Sequence, residues 1–213
     1  MTLAHEGEIH LFKVAGMGDY NNNGYVIADP ASREAYIVDA PAEVERLLDA
    51  AKEFDVKALL ITHTHPDHVA GCEEAQRLTG LPVGVHPADE ERLPVRAGFH
   101  LEHNAELYVG KRRIRLLHTP GHTPGGVCMV ADGCVLSGDT LFPGGPGYTR
   151  SATAFRELTG SISSRLLTLP GEWGVFPGHG ADTTIAEAKR EFAAFESRPR
   201  ADYLHGHVQW AGE

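Results

Sequence analysis

Apolar residues recur along the chain with two spacings, and the spacing changes from one segment to the next. Alternating or short continuous apolar runs predict strands, which fall at residues 8–14, 25–28, 34–38, 58–61, 82–85, 107–109, 114–117, 127–130, 134–136 and 175–176. Apolar residues three or four positions apart predict helices, which fall at residues 42–54, 69–78, 87–93, within 154–167 and within 185–195. Hairpins mixed with helices predict an α/β or α+β sandwich.

The length of the chain favours one domain. Its 213 residues show neither a linker nor an internal repeat. A chain of this size can bury a substantial core without disulfides. We therefore predict a single domain over residues 1–213.

Charge and cysteine content restrict the partners. The net charge is −10, which disfavours binding to nucleic acids and to anionic membranes. Three cysteines, Cys72, Cys128 and Cys134, lack metal-ligand spacing, and the first residues lack the pattern of a signal peptide. We expect a cytoplasmic protein that acts on a small molecule, as a monomer or a homodimer.

Histidine and aspartate cluster where predicted strands end. The chain has 13 histidines, and the motif HTHPDH at residues 63–68 directly follows the predicted strand 58–61. In an extended segment, His63 and His65 lie on one face and can bind the same ion, whereas the chain turns at Pro66. Further ligands must come from distant loops that also follow strands, and the candidates are His122, Asp139 and His179. Such clusters indicate metal binding.

Four motifs in a fixed order carry a family resemblance: HTHPDH (63–68), GHTPG (121–125), GDTLF (138–142) and PGHG (177–180). In these motifs the chain resembles the metallo-β-lactamase superfamily, and within it the short glyoxalase II-like hydrolases. The resemblance extends over about residues 10–191. It implies a four-layered αββα sandwich with a metal site at one edge, between the two sheets. It also implies that the additional C-terminal helical domain of full-length glyoxalase II is absent.

The resemblance further implies a role for each histidine and aspartate of the motifs. The ligands of a first metal would be His63, His65 and His122, those of a second metal would be Asp67, His68 and His179, and Asp139 would bridge both. Nitrogen and oxygen ligands suit zinc, iron or manganese, and we expect two divalent ions, with zinc as the leading candidate. Asp67 and Asp139 are the expected catalytic residues. Asp139 would bridge the two metals, and Asp67 would orient the attacking hydroxide in addition to binding metal.

These residues predict a hydrolase. Two adjacent cations lower the pKa of a water that bridges them, so that hydroxide forms at neutral pH. The chain has no G-x-S-x-G nucleophile motif and offers no obvious general acid for an amine leaving group, whereas a thiolate leaves without one. These residues therefore favour a thioester, and the glyoxalase II-like resemblance implies S-lactoylglutathione or a related hydroxyacyl thioester.

Other members of the superfamily remain as alternatives. An iron-dependent persulfide dioxygenase would share much of the motif, but such enzymes tend to carry Gly-Arg followed by Asp after GDTLF, where this chain reads Gly-Tyr-Thr-Arg at residues 147–150. Acyl-homoserine lactonases commonly have tyrosine where this chain has Phe142. β-Lactamases usually lack the bridging aspartate. A lactone or phosphoester hydrolase and a non-catalytic metal-binding protein are the further alternatives.

The glycine- and proline-rich loop after GDTLF is expected to border the substrate. Its candidate substrate-binding residues are Phe142, Tyr148 and Arg150. An exposed loop without contacts to the substrate is the alternative interpretation.

Several residues outside the motifs carry less specific expectations. Asp39 either orients a ligand imidazole or caps the following helix. His118 is expected in the core or beside a ligand, whereas His205 and His207 are expected to lie outside the site. Trp210 is expected to be a packing residue.

Overall fold

A seven-stranded sheet forms one half of the computed structural model, which describes residues 1–199 and 201–210. Its strands follow chain order: β1 (Thr2–Glu6), β2 (His10–Met17), β3 (Asn22–Ala28), β4 (Glu34–Val38), β5 (Asp55–Leu60), β6 (Val83–Val85) and β7 (Phe99–His100). The first four strands pair antiparallel, and the pairs from β4 to β7 are parallel. The sequence did not predict β1, because this edge strand has no buried face and forms by pairing with β2.

A six-stranded sheet forms the other half. Along the chain, the remaining strands are β8 (Glu106–Val109), β9 (Arg112–His118), β10 (Val127–Ala131), β11 (Cys134–Gly138), β12 (Leu141–Phe142), β13 (Gly145–Pro146), β14 (Gly174–Pro177) and β15 (Thr183–Thr184). β12 and β13 form a separate two-stranded ribbon, and the others pair in the order β15-β14-β11-β10-β9-β8.

Among the described residues, five α-helices connect or follow these strands: α1 (Glu45–Ala51), α2 (Pro66–Val69), α3 (Cys72–Thr79), α4 (Ala152–Ser161) and α5 (Ile185–Glu196). The predicted helix at 87–93 is a 3₁₀ helix, Pro87–Arg92, and a π-helical turn, Ile162–Leu166, extends α4.

The helix predicted at residues 69–78 is α3, which ends at Gly80 as expected but begins only at Cys72, because the chain breaks at Gly71 after the short helix α2. The Gly71 amide donates to the Ala40 carbonyl at 2.8 Å instead of to a helical partner. A Cβ at this position would lie 2.5 Å from the Pro41 carbonyl oxygen. The close approach therefore bends the chain between the two helices.

Three apolar clusters separate the layers. The middle cluster lies between the two sheets and includes Ile27 and Leu60 from one sheet and Met129 from the other. A second cluster packs α1 and α3 on the outer face of the first sheet, and a third packs α4 and α5 on the outer face of the second sheet. This arrangement confirms the predicted αββα sandwich.

The last described residues return to the body of the molecule. Trp210 is fully buried and packs against Phe192 and Phe195, with ring centroids 4.9 Å and 6.1 Å away. The predicted packing role of Trp210 is therefore confirmed. Over the described parts of the chain, no helix combines the length and the apolar character needed to cross a membrane.

Candidate metal centre

The seven predicted ligands meet at one edge of the sandwich. Residues 63–68 follow β5 of the first sheet, whereas His122, Asp139 and His179 follow β9, β11 and β14 of the second sheet. Since these strands end at the same edge, loops from both sheets bring their side chains together there.

Three histidines form the first group. The His63 Nε2 atom lies 3.1 Å from His65 Nδ1 and 3.2 Å from His122 Nε2. One nitrogen from each ring lies within 4.8 Å of the others. The group is therefore compact enough for all three nitrogens to bind one cation.

Asp67, His68 and His179 form the second group. His179 Nε2 lies 3.2 Å from His68 Nε2 and 3.1 Å from Asp67 Oδ2. These ligand atoms also lie within 4.8 Å of one another.

Asp139 lies between the two groups. Its Oδ1 atom is 3.4 Å from His68 Nε2, and its Oδ2 atom is 3.6 Å from both His122 Nε2 and His179 Nε2. The Oδ1 atom is buried and makes no hydrogen bond within the described residues. A carboxylate in this position can contact cations in both groups.

Hydrogen bonds on the outer side of the rings fix their orientation. The Nδ1 atoms of His122 and His179 lie 2.8 Å from the Tyr148 carbonyl oxygen and 3.0 Å from the Tyr20 carbonyl oxygen. Because a carbonyl oxygen only accepts, both Nδ1 atoms carry the hydrogen. The Nε2 lone pairs therefore point into the centre.

Asp39 orients one histidine of each group. Its carboxylate accepts from the His68 ring at 2.8 Å and from the Thr62 hydroxyl at 2.9 Å. The Thr62 oxygen lies 3.2 Å from His63 Nδ1 and, having donated its hydrogen to Asp39, is free to accept from that ring. Since α1 begins only at Glu45, Asp39 acts on the ligands and is not a helix cap.

The arrangement fits divalent cations. Nitrogen lone pairs that face one another at 3.1–3.2 Å repel unless a proton or a cation lies between them. Five imidazole nitrogens and two carboxylates are ligands suited to zinc, iron or manganese. The three cysteines are buried, unbridged and outside these groups, so the centre contains no thiolate from the described residues.

The surroundings divide the histidines into two kinds. Burial and the neighbouring imidazoles lower the pKa of His63 well below its usual value, and they lower the pKa of His65 to about 4. Burial also opposes the charged form of His68 and His179, but nearby carboxylates outweigh it and raise the pKa of both rings. His63 and His65 are thus ready to bind cations at neutral pH, whereas a cation competes with protons at His68 and His179.

Glycine is required at two positions that support the centre. A Cβ at Gly178 would lie 2.5 Å from both Asp139 Oδ1 and the His68 ring. Gly138 has a φ of +49°, and a Cβ there would lie 2.6 Å from Thr62 Oγ1. These glycines allow the loops after β11 and β14 to approach the ligands closely.

A cavity of about 400 Å³ opens onto the centre. Its lining residues are Tyr20, Asp67, His122, Asp139, Phe142, Pro143, Gly145, Pro146, Gly147, Tyr148, His179, His207 and Gln209. Of the predicted substrate-binding residues, Phe142 and Tyr148 lie in this cavity. Arg150 instead lines a neighbouring cavity of about 300 Å³, which shares His122 with the first.

Asn22 and His207 also lie at the site, although the sequence indicated neither position. Asn22 is buried, and its side-chain amide donates to Asp67 Oδ2 at 2.8 Å. The run of asparagines at residues 21–23, where β3 begins, was the available signal. His207, expected outside the site, lines the cavity with its ring 5.0 Å from that of Tyr148. That position depends on how the end of the chain folds back, which no local pattern encodes.

His118 was expected in the core or beside a ligand, and the structure places it in neither position. Its ring is partly exposed and stacks on His86 at a centroid distance of 3.9 Å. The Nε2 atom lies 2.8 Å from the Pro124 carbonyl oxygen. His118 therefore supports the loop that carries His122 and does not join the ligands.

Comparisons with known proteins identify relatives of this chain over most of its length. The model of the metallo-beta-lactamase superfamily matches residues 17–193. A hydroxyacylglutathione hydrolase-like protein of Gallus gallus is 37% identical over 202 residues, which cover 90% of this chain and 67% of that protein. BaeB of Bacillus velezensis, a probable polyketide biosynthesis zinc-dependent hydrolase, is 32% identical over 181 residues, which cover 82% of this chain and 80% of BaeB. Among solved structures, TTHA1623 in a di-iron-bound form is 30% identical with a TM-score of 0.72, over 84% of this chain and 97% of that one.

Proposed function

The chain belongs to the metallo-beta-lactamase superfamily, and we propose that it is a hydrolase that uses two divalent cations to cleave a thioester. The substrate would be S-lactoylglutathione or a related hydroxyacyl thioester. The observation that carries the proposal is the pair of three-residue ligand groups with Asp139 between them.

Each group of side chains would hold one cation. The first cation would be bound by His63, His65 and His122, the second by Asp67, His68 and His179, and Asp139 would contact both. When bound, such a pair lowers the pKa of a water between the ions and polarises a carbonyl oxygen. The ligand chemistry is compatible with zinc, which agrees with the name of BaeB, and with iron, which agrees with TTHA1623.

Asp67 is the residue best placed to orient the attacking water. The Asn22 amide donates to its Oδ2 atom at 2.8 Å, so the carboxylate is held in one orientation. Asp67 also lines the cavity from which a substrate would approach. A fixed carboxylate beside the substrate can accept a hydrogen from the water and direct its lone pair at the carbonyl carbon.

A thioester requires less of the groups around the cavity than an amide does. An amine leaving group needs a proton donor, and apart from the proposed ligands the described lining offers Tyr20, Tyr148 and His207 for that role. A thiolate leaves without a proton. The hydroxyacylglutathione hydrolase-like relative supports the same substrate class.

The alternative function is that of a persulfide dioxygenase, which would bind a single iron through two histidines and one aspartate. The separate group of Asp67, His68 and His179 would have no metal to bind in that case. Its compact geometry therefore favours the dinuclear hydrolase.

Metal-dependent turnover is the test of this proposal. Protein stripped with a chelator should hydrolyse no thioester, and addition of zinc, iron or manganese should restore turnover. His122→Ala and Asp67→Ala should lower kcat by at least about 10²-fold and retain the fold by circular dichroism. His205→Ala, an exposed histidine outside the cavity, is the control. Full activity of the stripped protein, or oxygen uptake with glutathione persulfide, would overturn the proposal.

A further inference from the structure

The end of the chain forms one wall of the cavity at the metal centre. We call residues 206–210 the tail segment. Its backbone is anchored by paired hydrogen bonds between Gly206 and Thr149, at 2.9 Å and 3.2 Å, and by the Trp210 amide, which donates to the Gly144 carbonyl at 2.7 Å. The tail segment is thus attached to the loop that carries Tyr148.

Residues of the tail segment alternate between the core and the cavity. Val208 and Trp210 are buried in the cluster beneath α4 and α5. His207 and Gln209, on the opposite side, are exposed and line the cavity. The alternation is that of an extended segment, so both polar side chains lie on its cavity side.

The polar groups of the tail segment are available to a ligand. Neither the His207 ring nor the Gln209 amide makes a hydrogen bond to a residue in the described parts of the chain. The Gln209 amide offers both a donor and an acceptor, and the two nitrogens of an imidazole can do the same. The Tyr148 ring lies beside His207 and adds an apolar surface.

Away from the metal ligands, the same cavity offers little to an anionic group. Its described lining contains no lysine or arginine, and the proposed cations would attract an anion only at the end of the cavity formed by Asp67, His122, Asp139 and His179. Outside that end, the net charge of the chain, −10, disfavours an anion. A neutral ligand group needs no cationic side chain in the cavity, and an amide on that group can form hydrogen bonds with His207 and Gln209.

We propose that this cavity binds the thiol-carrier end of a neutral, amide-bearing thioester, with His207 and Gln209 as specificity-determining residues. Amides are a recurring polar group of acyl-carrying thiols, which differ mainly in how many anionic groups they also bear. The inference rests on the proposed thioester hydrolysis and narrows it, since it favours a neutral carrier over glutathione with its two carboxylates.

Three lactoyl thioesters separate the contributions of amide and charge. The thioester of N-acetylcysteamine is neutral and has an amide, that of ethanethiol is neutral without an amide, and S-lactoylglutathione has amides and carboxylates. The metal-loaded wild-type protein should show the highest kcat/KM with the N-acetylcysteamine thioester, about tenfold above S-lactoylglutathione.

Variants of the tail segment test the assigned residues. His207→Ala and Gln209→Ala should each raise KM for the N-acetylcysteamine thioester about 3- to 10-fold, with kcat and the ethanethiol thioester unaffected. His205→Ala is the matched control and should leave all three substrates unchanged. Thermal unfolding of each variant identifies any general loss of structure.

The results distinguish the two levels of the proposal. Preference for S-lactoylglutathione, or variants that slow all three thioesters equally or none of them, would overturn the inference and leave the hydrolase intact. If the wild-type protein hydrolyses none of the three with metal present, the proposed function fails, and the inference fails with it.

Discussion

The Asp39 carboxylate lies 2.8 Å from the Nδ1 atom of His68, and both side chains are at most 2% exposed. The same carboxylate accepts from the backbone amide and the hydroxyl of Thr62. Through His68 directly, and through Thr62 to His63, one buried residue orients a ligand of each group. Asp39 itself does not face either proposed cation.

Replacement of Asp39 should weaken metal binding while the ligands remain. Asp39 has a φ of +62°, a conformation that asparagine tolerates, so Asp39→Asn retains the backbone and removes the charge behind His68. Metal affinity should fall about 10- to 100-fold, as measured by competition with a chromophoric chelator. Asp49→Asn, at an exposed residue paired with Lys52, is the control. Equal affinities for the two variants would contradict this role.

Asn22 should affect turnover more than metal content. Asn22→Ala removes the 2.8 Å hydrogen bond to Asp67, so the carboxylate loses part of its fixed orientation. We expect kcat to fall about 10- to 100-fold with two cations retained. Steady-state kinetics together with metal analysis checks this. A variant that loses a cation, or that raises KM alone, would show that Asn22 acts differently.

Metal binding should release protons. Nearby carboxylates raise the pKa of His68 and His179 in the metal-free protein, so these rings bind protons more tightly than a free imidazole, and a cation must displace those protons. Affinity should therefore increase with pH until these rings are deprotonated without metal. Calorimetric titrations at pH 7 in buffers of different ionisation enthalpy measure the released protons. An observed enthalpy independent of the buffer would contradict the raised pKa values.

The tail segment should contribute to stability. Trp210 is fully buried against Phe192 and Phe195, so Trp210→Ala should lower the free energy of unfolding by about 3–5 kcal/mol, as measured by urea denaturation. Tyr203→Ala, at a residue that is 78% exposed, should change it by less than about 0.5 kcal/mol. Equal stabilities would indicate that the tail segment is not packed on the core.

Local patterns predicted most strands and helices and the candidate ligands that follow the strands. The apolar strand β5 and the cluster at residues 63–68 are adjacent in the sequence, and the same holds for β11 and Asp139. The shared edge and the division of the ligands between two cations were predicted from the resemblance of the four motifs to the metallo-β-lactamase superfamily, because strand order alone does not show which loops meet.

The features that the sequence did not predict depend on contacts between distant segments of the chain. β1 forms through pairing with β2 rather than through burial, and the break at Gly71 results from the approach of Pro41. His207 reaches the cavity because Gly206 pairs with Thr149, 57 positions earlier in the sequence. No periodicity within the segment itself reports such contacts.

The number of bound cations per chain tests the central claim most directly. Elemental analysis of protein reconstituted with zinc and freed of loosely bound metal should give two ions per chain for the wild type, and one for His65→Ala. His205→Ala should retain two. A wild-type protein that binds one ion or none under these conditions would contradict the dinuclear centre.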